Sequence, residues 1–222
     1  MVKNSDIIHV YFMPGLAAGS KIFEYISLPS NKYEFHFLDW LIPESPEESL
    51  ENYTKRLSKN IKHENPVLIG VSFGGIIVQE MVKFIHPKKV IIISSVKNRE
   101  EFPKRMKFLK KTKIYKLFPS KKISKINNFS KYNLNHSLKR KTDLYKKYME
   151  VRNEKYLNWA IHNMLHWKSE NHVQNIIHIH GSDDEIFPIK HIQNCIEIKG
   201  GTHAMIITKA KKINTILQEI IF

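Results

Sequence analysis

Short apolar runs recur along the chain and predict the strands of a buried sheet. Most of these runs are apolar on both faces, which is typical of a parallel sheet that helices cover on both sides. The second run alternates instead and is rich in aromatic side chains. The six runs occupy residues 7–13, 33–39, 67–71, 89–95, 176–180 and 195–199. We therefore expect a sheet of about six strands.

Segments with helical spacing separate these runs. Ser20 can cap a helix over about 21–27, and the Ser-Pro-Glu-Glu stretch at 45–48 has the form of a capping box. Further helices are predicted over about 75–85 and over 205–221. The helix that follows the capping box carries its apolar side chains on one face, at Leu50, Tyr53, Leu57 and Ile61. Strands that alternate with helices predict an α/β fold with a mostly parallel sheet flanked by helices.

The long segment between the fourth and fifth strands has a different composition. Residues 97–155 hold 20 Lys and Arg but only 5 Asp and Glu, whereas the other 163 residues hold 16 of each. The pattern of this segment is mostly helical, so we interpret 97–171 as a basic helical cap inserted into a core formed by 1–96 and 172–222. The charge fits either compositional drift, since 31 of the 36 basic residues are Lys, or a surface for an anionic partner.

Composition excludes several classes of protein. The 222 residues are 42% apolar and 26% charged, as in an ordinary globular chain, and one cysteine excludes an intramolecular disulfide framework. No apolar run approaches the roughly 18 residues that a membrane span needs, and the N-terminus lacks the pattern of a signal peptide. We therefore expect a cytoplasmic protein without a transmembrane segment.

The third strand leads into the strongest chemical motif of the sequence. Residues 70–74 read Gly-Val-Ser-Phe-Gly, a G-x-S-x-G pentapeptide between a buried strand and an apolar helix. In that context the serine stands on a tight strand-to-helix turn and projects its hydroxyl into the cleft at the carboxyl ends of the strands. Ser72 is therefore the candidate nucleophile.

A serine hydroxyl needs a base to take its proton, and a histidine placed after the last strand can serve. His203 lies there, in Gly-Gly-Thr-His ahead of the final helix. The base needs an acid to orient it, and the loop after the fifth strand offers Asp183, Asp184 and Glu185 in a row. Physical reasoning from the sequence alone does not choose between Asp183 and Asp184.

The motifs around Ser72, His203 and the acid loop resemble those of the α/β-hydrolase fold superfamily over essentially the whole chain, in particular its small members with a helical cap. The acid loop of that superfamily commonly reads H-G-x-x-D with an apolar-Pro ending, and the resemblance implies that Asp184 is the acid and that Pro188 ends the loop. It also implies that Ser72 is the nucleophile and His203 the base. Larger members have strands before the first one here, so the resemblance implies a trimmed N-terminus.

The resemblance further implies an oxyanion hole made of two backbone N–H groups. One belongs to the residue after the nucleophile, Phe73, and the other to the turn after the first strand, where Leu16 follows Pro14-Gly15. Many members have His-Gly in place of this Pro-Gly, but the amide that donates lies after the dipeptide.

No nucleotide-binding glycine loop and no C-x-x-C pattern occurs in the sequence, so neither a cofactor nor a metal site is predicted. His162 and His166 lie four residues apart on a predicted helix but lack a third ligand at a recognisable spacing. His180 closes a strand, and we expect it to lie in a second layer around the catalytic residues rather than among them.

These residues predict a serine hydrolase that cleaves a carboxylic ester or thioester. The expected partner is a small acyl substrate, which the basic cap would favour in anionic form, and nucleic acid is the less favoured partner. The alternatives are an acyltransferase or a carbon–carbon bond lyase that uses the same three residues, or a non-catalytic protein that binds anions or nucleic acid.

Overall fold

The computed structural model describes residues 7–117, 147–169, 173 and 175–221. In this part of the chain six parallel strands form one sheet in the order β2-β1-β3-β4-β5-β6. The strands are β1 (Ile8–Met13), β2 (Tyr33–Phe37), β3 (Val67–Val71), β4 (Lys89–Ile93), β5 (Ile177–Gly181) and β6 (Ile196–Ile198). The prediction of an α/β fold with about six strands is confirmed.

Two apolar layers cover the sheet, because successive side chains of each strand point to opposite faces. Leu68 of β3 contributes to one layer, whereas its neighbours Val67 and Ile69 contribute to the other. All five residues of β3 are buried, which explains why the sequence of this central strand is apolar on both faces.

Helices supply the outer part of both layers. Leu57 and Ile76 pack on one face of the sheet, and Ile213 and Leu217 pack on the other. None of the described helices is long and apolar enough to cross a membrane. The helices are α1 (Leu50–Ser58), α2 (Phe73–Met81), α3 (Lys104–Thr112), α4 (Glu154–His166), α5 (Met205–Thr208) and α6 (Ala210–Ile220).

The capping-box prediction at residues 45–48 is wrong. The α1 helix begins at Leu50, and Ser49 is its N-cap, whose hydroxyl oxygen accepts the Asn52 N–H at 3.1 Å. Glu48 does not reach back to a cap; its carboxylate is bonded by the Arg56 guanidinium at 2.8 and 2.9 Å instead. Residues 45–48 form a turn, in which the Glu48 N–H donates to the Ser45 carbonyl at 3.2 Å, and the Glu48 carboxylate also accepts the Glu44 N–H at 2.7 Å.

Two other helix predictions are corrected in length. The stretch predicted over 21–27 contains only a 3₁₀ turn, Ser20–Phe23, in which hydrogen bonds span three residues rather than four. The C-terminal helix is divided at Lys209, whose φ of −125° is not helical. Both halves still bury apolar side chains on the sheet.

Among the described residues, α3 and α4 lie between β4 and β5, in the segment predicted to be a cap. The α4 helix buries Tyr156, Leu157, Trp159 and Ala160, whereas α3 buries none of its side chains. Residues 118–146, 170–172 and 174 of the predicted insert lie outside the described residues, so the extent of the cap stays a prediction.

Candidate active site

Ser72 stands on a strained turn between β3 and α2. Its φ of 53° and ψ of −120° are unusual for a residue that carries a side chain, and such strain persists only where the surroundings fix it. The Ser72 N–H donates to the Ile93 carbonyl at 3.0 Å, and the Ser95 hydroxyl donates to the Ser72 carbonyl at 2.7 Å. Two bonds from the β4 end therefore hold the turn.

Close backbone contacts explain the two glycines of the pentapeptide. A Cβ on Gly70 would lie 2.3 Å from the Gly74 carbonyl oxygen, and a Cβ on Gly74 would lie 2.3 Å from the Pro14 carbonyl oxygen. Backbone atoms cannot yield as a flexible side chain can, so both positions require glycine. This packing brings the turn after β1 against the turn that carries Ser72.

His203 and Asp184 complete a continuous hydrogen-bonded series with Ser72. The His203 Nε2 atom lies 2.9 Å from the Ser72 Oγ atom. The other ring nitrogen, Nδ1, lies 2.8 Å from Asp184 Oδ2 and 3.1 Å from Oδ1. The structure thus brings together the three residues that the sequence suggested as nucleophile, base and acid.

The geometry separates Asp184 from Asp183. Asp184 is 3% exposed, and its Oδ1 atom accepts the N–H groups of Ile186 at 2.8 Å and Phe187 at 2.9 Å. Asp183 is exposed and accepts from the neighbouring Ser182 hydroxyl at 2.7 Å. Only the Asp184 carboxylate contacts His203.

The surroundings of Asp184 favour its charged form. Burial on its own would raise the pKa of this carboxyl, but the hydrogen bond and charge of His203, together with the Phe187 N–H, outweigh burial and lower the pKa. Asp184 is therefore ionised at neutral pH, as a group that stabilises a histidinium must be.

His180 lies behind the acid loop, as predicted. Its Nε2–H donates to the Phe187 carbonyl at 2.8 Å, and the same nitrogen lies 3.6 Å from Asp184 Oδ2. Because a carbonyl can only accept, the neutral ring presents Nδ1 as the acceptor for His178 Nε2, 3.0 Å away. Burial lowers the pKa of both rings, that of His178 to about 2. This neutral pair holds the loop that carries Asp184.

The turn after β1 lies beside the nucleophile, where the second oxyanion amide was expected. A Cβ on Gly15 would lie 3.5 Å from the Ser72 Cβ atom, so Leu16 begins next to the serine. The Trp40 indole N–H fixes this turn by donating to the carbonyls of Gly15 and Ala18, both at 3.1 Å. Phe73 is the first residue of α2, and its N–H has no partner within the helix. Leu16 and Phe73 therefore occupy suitable positions.

An aromatic cluster joins the core to α4 beside this turn. The Trp40 ring stacks on Phe73 with centroids 5.4 Å apart and lies 5.1 Å from the Tyr156 ring. The Tyr156 hydroxyl accepts the Ala17 N–H at 3.3 Å, and the Trp159 indole donates to the Glu48 carbonyl at 2.7 Å. Trp40 and Tyr156 belong to no sequence motif, so neither was predicted to lie at the site.

Several cations of the basic segment contact backbone carbonyls rather than the cleft. The Arg105 guanidinium donates to the carbonyls of Glu185 and Ile186 on the acid loop. The Lys97 ammonium donates to the Gln193 carbonyl, and the Lys155 ammonium to that of Glu44 at 2.8 Å. These cationic side chains thus hold the basic segment on the core through hydrogen bonds.

The His162 and His166 rings stack with centroids 4.2 Å apart. Within the described chain they do not gain a third ligand: the His162 Nδ1 atom bonds the Tyr115 hydroxyl at 2.9 Å, and His166 Nδ1 bonds the His162 carbonyl.

Comparisons with known proteins give a fold but no close relative. No protein-family model and no curated protein matches the sequence. Many solved structures match nearly the whole chain. A carboxylesterase of the thaumarchaeon Nitrososphaera gargenis is 14% identical with a TM-score of 0.69, over 98% of this chain and 91% of that one.

Two further structures share the same architecture. A putative non-heme bromoperoxidase from Mycobacterium tuberculosis is 13% identical with a TM-score of 0.68, over 96% and 91% of the two chains. An α/β-hydrolase fold protein from Burkholderia ambifaria is 12% identical with a TM-score of 0.66, over 96% and 90%. The chain has the α/β-hydrolase fold. In this α/β-hydrolase fold the Ser72 site lies at the carboxyl ends of the parallel strands, where such sheets bind their ligands.

Proposed function

We propose that this protein is a serine hydrolase that cleaves a carboxylic ester or thioester through an acyl-enzyme on Ser72. The observation that carries the proposal is the hydrogen-bonded series from Ser72 Oγ through His203 to Asp184, with links of 2.9 and 2.8 Å. Its chain order, serine then acid then histidine, is that of α/β-hydrolases. The carboxylesterase among the similar structures supports the same class of reaction.

Acylation begins when the Ser72 oxygen attacks the carbonyl carbon of the substrate. His203 Nε2 takes the hydroxyl proton, and the ionised Asp184 carboxylate stabilises the imidazolium that forms. The carbonyl oxygen becomes an oxyanion that accepts hydrogen bonds from the N–H groups of Leu16 and Phe73. A preorganised donor of this kind contributes about 2.7–4 kcal/mol to transition-state binding. The tetrahedral intermediate then expels the alcohol or thiol, which receives the proton from His203.

Deacylation repeats these steps with water as the nucleophile. His203 takes a proton from the water, which attacks the acyl carbon, and Ser72 leaves with the proton returned by His203. The acid product departs and restores the starting state. None of these steps requires a cofactor.

The acid loop sets the histidine tautomer on which this cycle depends. Because the Ile186 and Phe187 N–H groups hold the Asp184 carboxylate, its Oδ2 atom faces His203 as an acceptor. The His203 proton is then drawn to Nδ1, and Nε2 presents its lone pair to the serine hydroxyl.

We further propose that exposed lysines of the basic segment favour an anionic acyl substrate. Those that contact carbonyls serve the structure, but Lys104, Lys111 and Lys113 are exposed on and beside α3. Their combined replacement by glutamine is expected to raise KM for an anionic ester and to leave KM for a neutral ester unchanged. Equal KM values for the anionic ester in both proteins would remove this part of the proposal.

The hydrolase proposal is tested by steady-state assays on a panel of short nitrophenyl esters and acyl thioesters. We expect saturable hydrolysis by the wild-type protein and its loss in His203→Gln. Products are then measured with and without added alcohol, because transfer of most acyl groups to alcohol at low concentration would instead indicate an acyltransferase. Folded wild-type protein without turnover on any acyl substrate would contradict the proposal.

A further inference from the structure

Three histidines converge on the sheet far from Ser72. His9 lies on β1, His36 on β2 and His63 in the loop between α1 and β3. One ring nitrogen from each lies within 4.8 Å of the others. Val10 pairs with Val67, so His9 lies about 20 Å before Ser72 along the strand direction. We propose that His9, His36 and His63 bind a divalent transition-metal ion, Zn²⁺ being the representative, with Glu34 as the fourth ligand.

Strand register creates this cluster. His9 pairs with Glu34 and Tyr11 pairs with His36 across the β1–β2 ladder, and residues two apart on a strand share a face. All four side chains therefore lie on one side of the sheet. The Glu34 carboxylate spans the two strands, with oxygens 3.6 Å from His9 Nδ1 and 3.7 Å from His36 Nε2. The sequence alone does not reveal the site, because its ligands come from three separate elements.

The distances are close to those of a tetrahedral site. Zinc–nitrogen bonds of about 2.0–2.1 Å place two ligand nitrogens about 3.3–3.4 Å apart. The His9 Nδ1 and His36 Nε2 atoms are already 3.1 Å apart. The His63 ring stacks on His9 with centroids 3.5 Å apart, so it must turn about its terminal torsion, which is soft, to direct its lone pair at the ion.

His63 has a hydrogen-bond partner on the ring nitrogen that would not bind the metal, as metal-binding histidines usually do. His63 Nδ1 lies 2.7 Å from the Tyr11 hydroxyl, which also accepts the Lys62 N–H at 3.0 Å. When Nδ1–H donates to this oxygen, Nε2 carries the free lone pair and becomes the ligand atom. Hydrogen bonds of this kind fix the tautomer of metal-binding histidines in known sites. Burial lowers the pKa of His9 and His36, which favours the neutral form that binds metal.

The ion would join β1, the edge strand β2 and the loop before β3. We expect the bound ion to stabilise the fold and not to take part in the reaction, because the cluster is remote from Ser72. An ion that binds the folded state alone stabilises it by RT ln(1 + L/Kd), where L is the free metal concentration, so the melting temperature rises as that concentration is raised. Three imidazole ligands favour zinc and its neighbours over calcium or magnesium.

The test uses the full chain without a polyhistidine tag, treated with a chelator and then titrated with Zn²⁺ against a chromophoric chelator at pH 7. We expect one equivalent to bind and the melting temperature to rise. His36→Gln and His63→Gln should each lower the affinity at least tenfold. Tyr11→Phe, which keeps the ring but removes the hydroxyl, should lower it about 10–100-fold.

His166→Gln is the matched control, since it removes one ring from another stacked histidine pair, His162 and His166. It should bind as the wild type does. Co²⁺ added to the wild-type protein should give the intense visible bands of a tetrahedral site. If the wild-type protein binds less than one equivalent, or if His166→Gln loses the ion while His36→Gln and His63→Gln keep it, the proposal is wrong. His63 lies in a loop, so its variant remains informative if His36→Gln folds poorly.

Discussion

Replacement of Asp184 by asparagine should abolish most activity while the fold is kept. In the wild-type protein Oδ1 accepts two N–H groups, from Ile186 and Phe187, and Oδ2 faces His203 Nδ1 at 2.8 Å. The asparagine carbonyl oxygen takes over the two N–H groups, so its NH₂ group faces His203. A donor at that position requires Nδ1 to be the acceptor, which places the histidine proton on Nε2, facing Ser72.

The size of the effect follows from the cost of the alternative orientation. Turning the amide over would restore the tautomer but would leave two buried N–H groups facing a donor, at about 1–3 kcal/mol each. The total of about 2–6 kcal/mol corresponds to roughly 30-fold to 10⁴-fold in rate. Loss of the charge that stabilises the imidazolium adds to this, so we expect the upper end, as asparagine in serine protease triads lowers kcat about 10⁴-fold.

The assay is kcat/KM on the best nitrophenyl ester for the wild type, Asp184→Asn and Asp183→Asn. Asp183 is exposed and does not contact His203, so its variant should stay within about twofold of the wild type. Circular dichroism and melting temperature establish that each variant is folded. The reasoning is refuted if Asp184→Asn keeps more than a tenth of wild-type activity, or if Asp183→Asn loses as much.

Two further predictions concern the stability of the fold. Gly74→Ala places a Cβ 2.3 Å from the Pro14 carbonyl oxygen, so urea denaturation should show a loss of at least about 1–3 kcal/mol, and wild-type stability would contradict this. Burial raises the pKa of Glu101, so the folded state binds the proton more tightly than the unfolded one and stability falls as pH rises through that raised pKa. We measure the free energy of unfolding from pH 4 to 8 in the wild type and in Glu101→Gln, which should lack the fall in stability due to this carboxyl. If stability changes with pH identically in both proteins, the prediction is wrong.

The sheet could be predicted because its central strands are short and buried on both faces. Residues 67–71 match β3 at both ends, and the Ser72 turn follows from the glycines that flank it. The boundaries of the helices were harder to predict from the sequence. The sequence predicted a capping box at residues 45–48, whereas Ser49 is the N-cap of α1 and Glu48 bonds Arg56, eight residues further along the chain.

The residues of the site also differ in how far the sequence predicts them. Ser72 and His203 each follow a strand in a recognisable motif, whereas the choice of Asp184 over Asp183 came from resemblance and gains its physical reason only from the Ile186 and Phe187 N–H groups. The histidine cluster depends on which strands are neighbours and in which register. That information is absent from the pattern of any one segment.

The central claim, that Ser72 is an activated nucleophile, is tested most directly by intact mass after exposure to a fluorophosphonate probe. The wild-type protein and Ser72→Ala are compared with Ser27→Ala, which changes an exposed serine away from the site. We predict one adduct on the wild type, one on Ser27→Ala and none on Ser72→Ala. Folded wild-type protein that stays unmodified, or an adduct that persists on Ser72→Ala, would contradict the account.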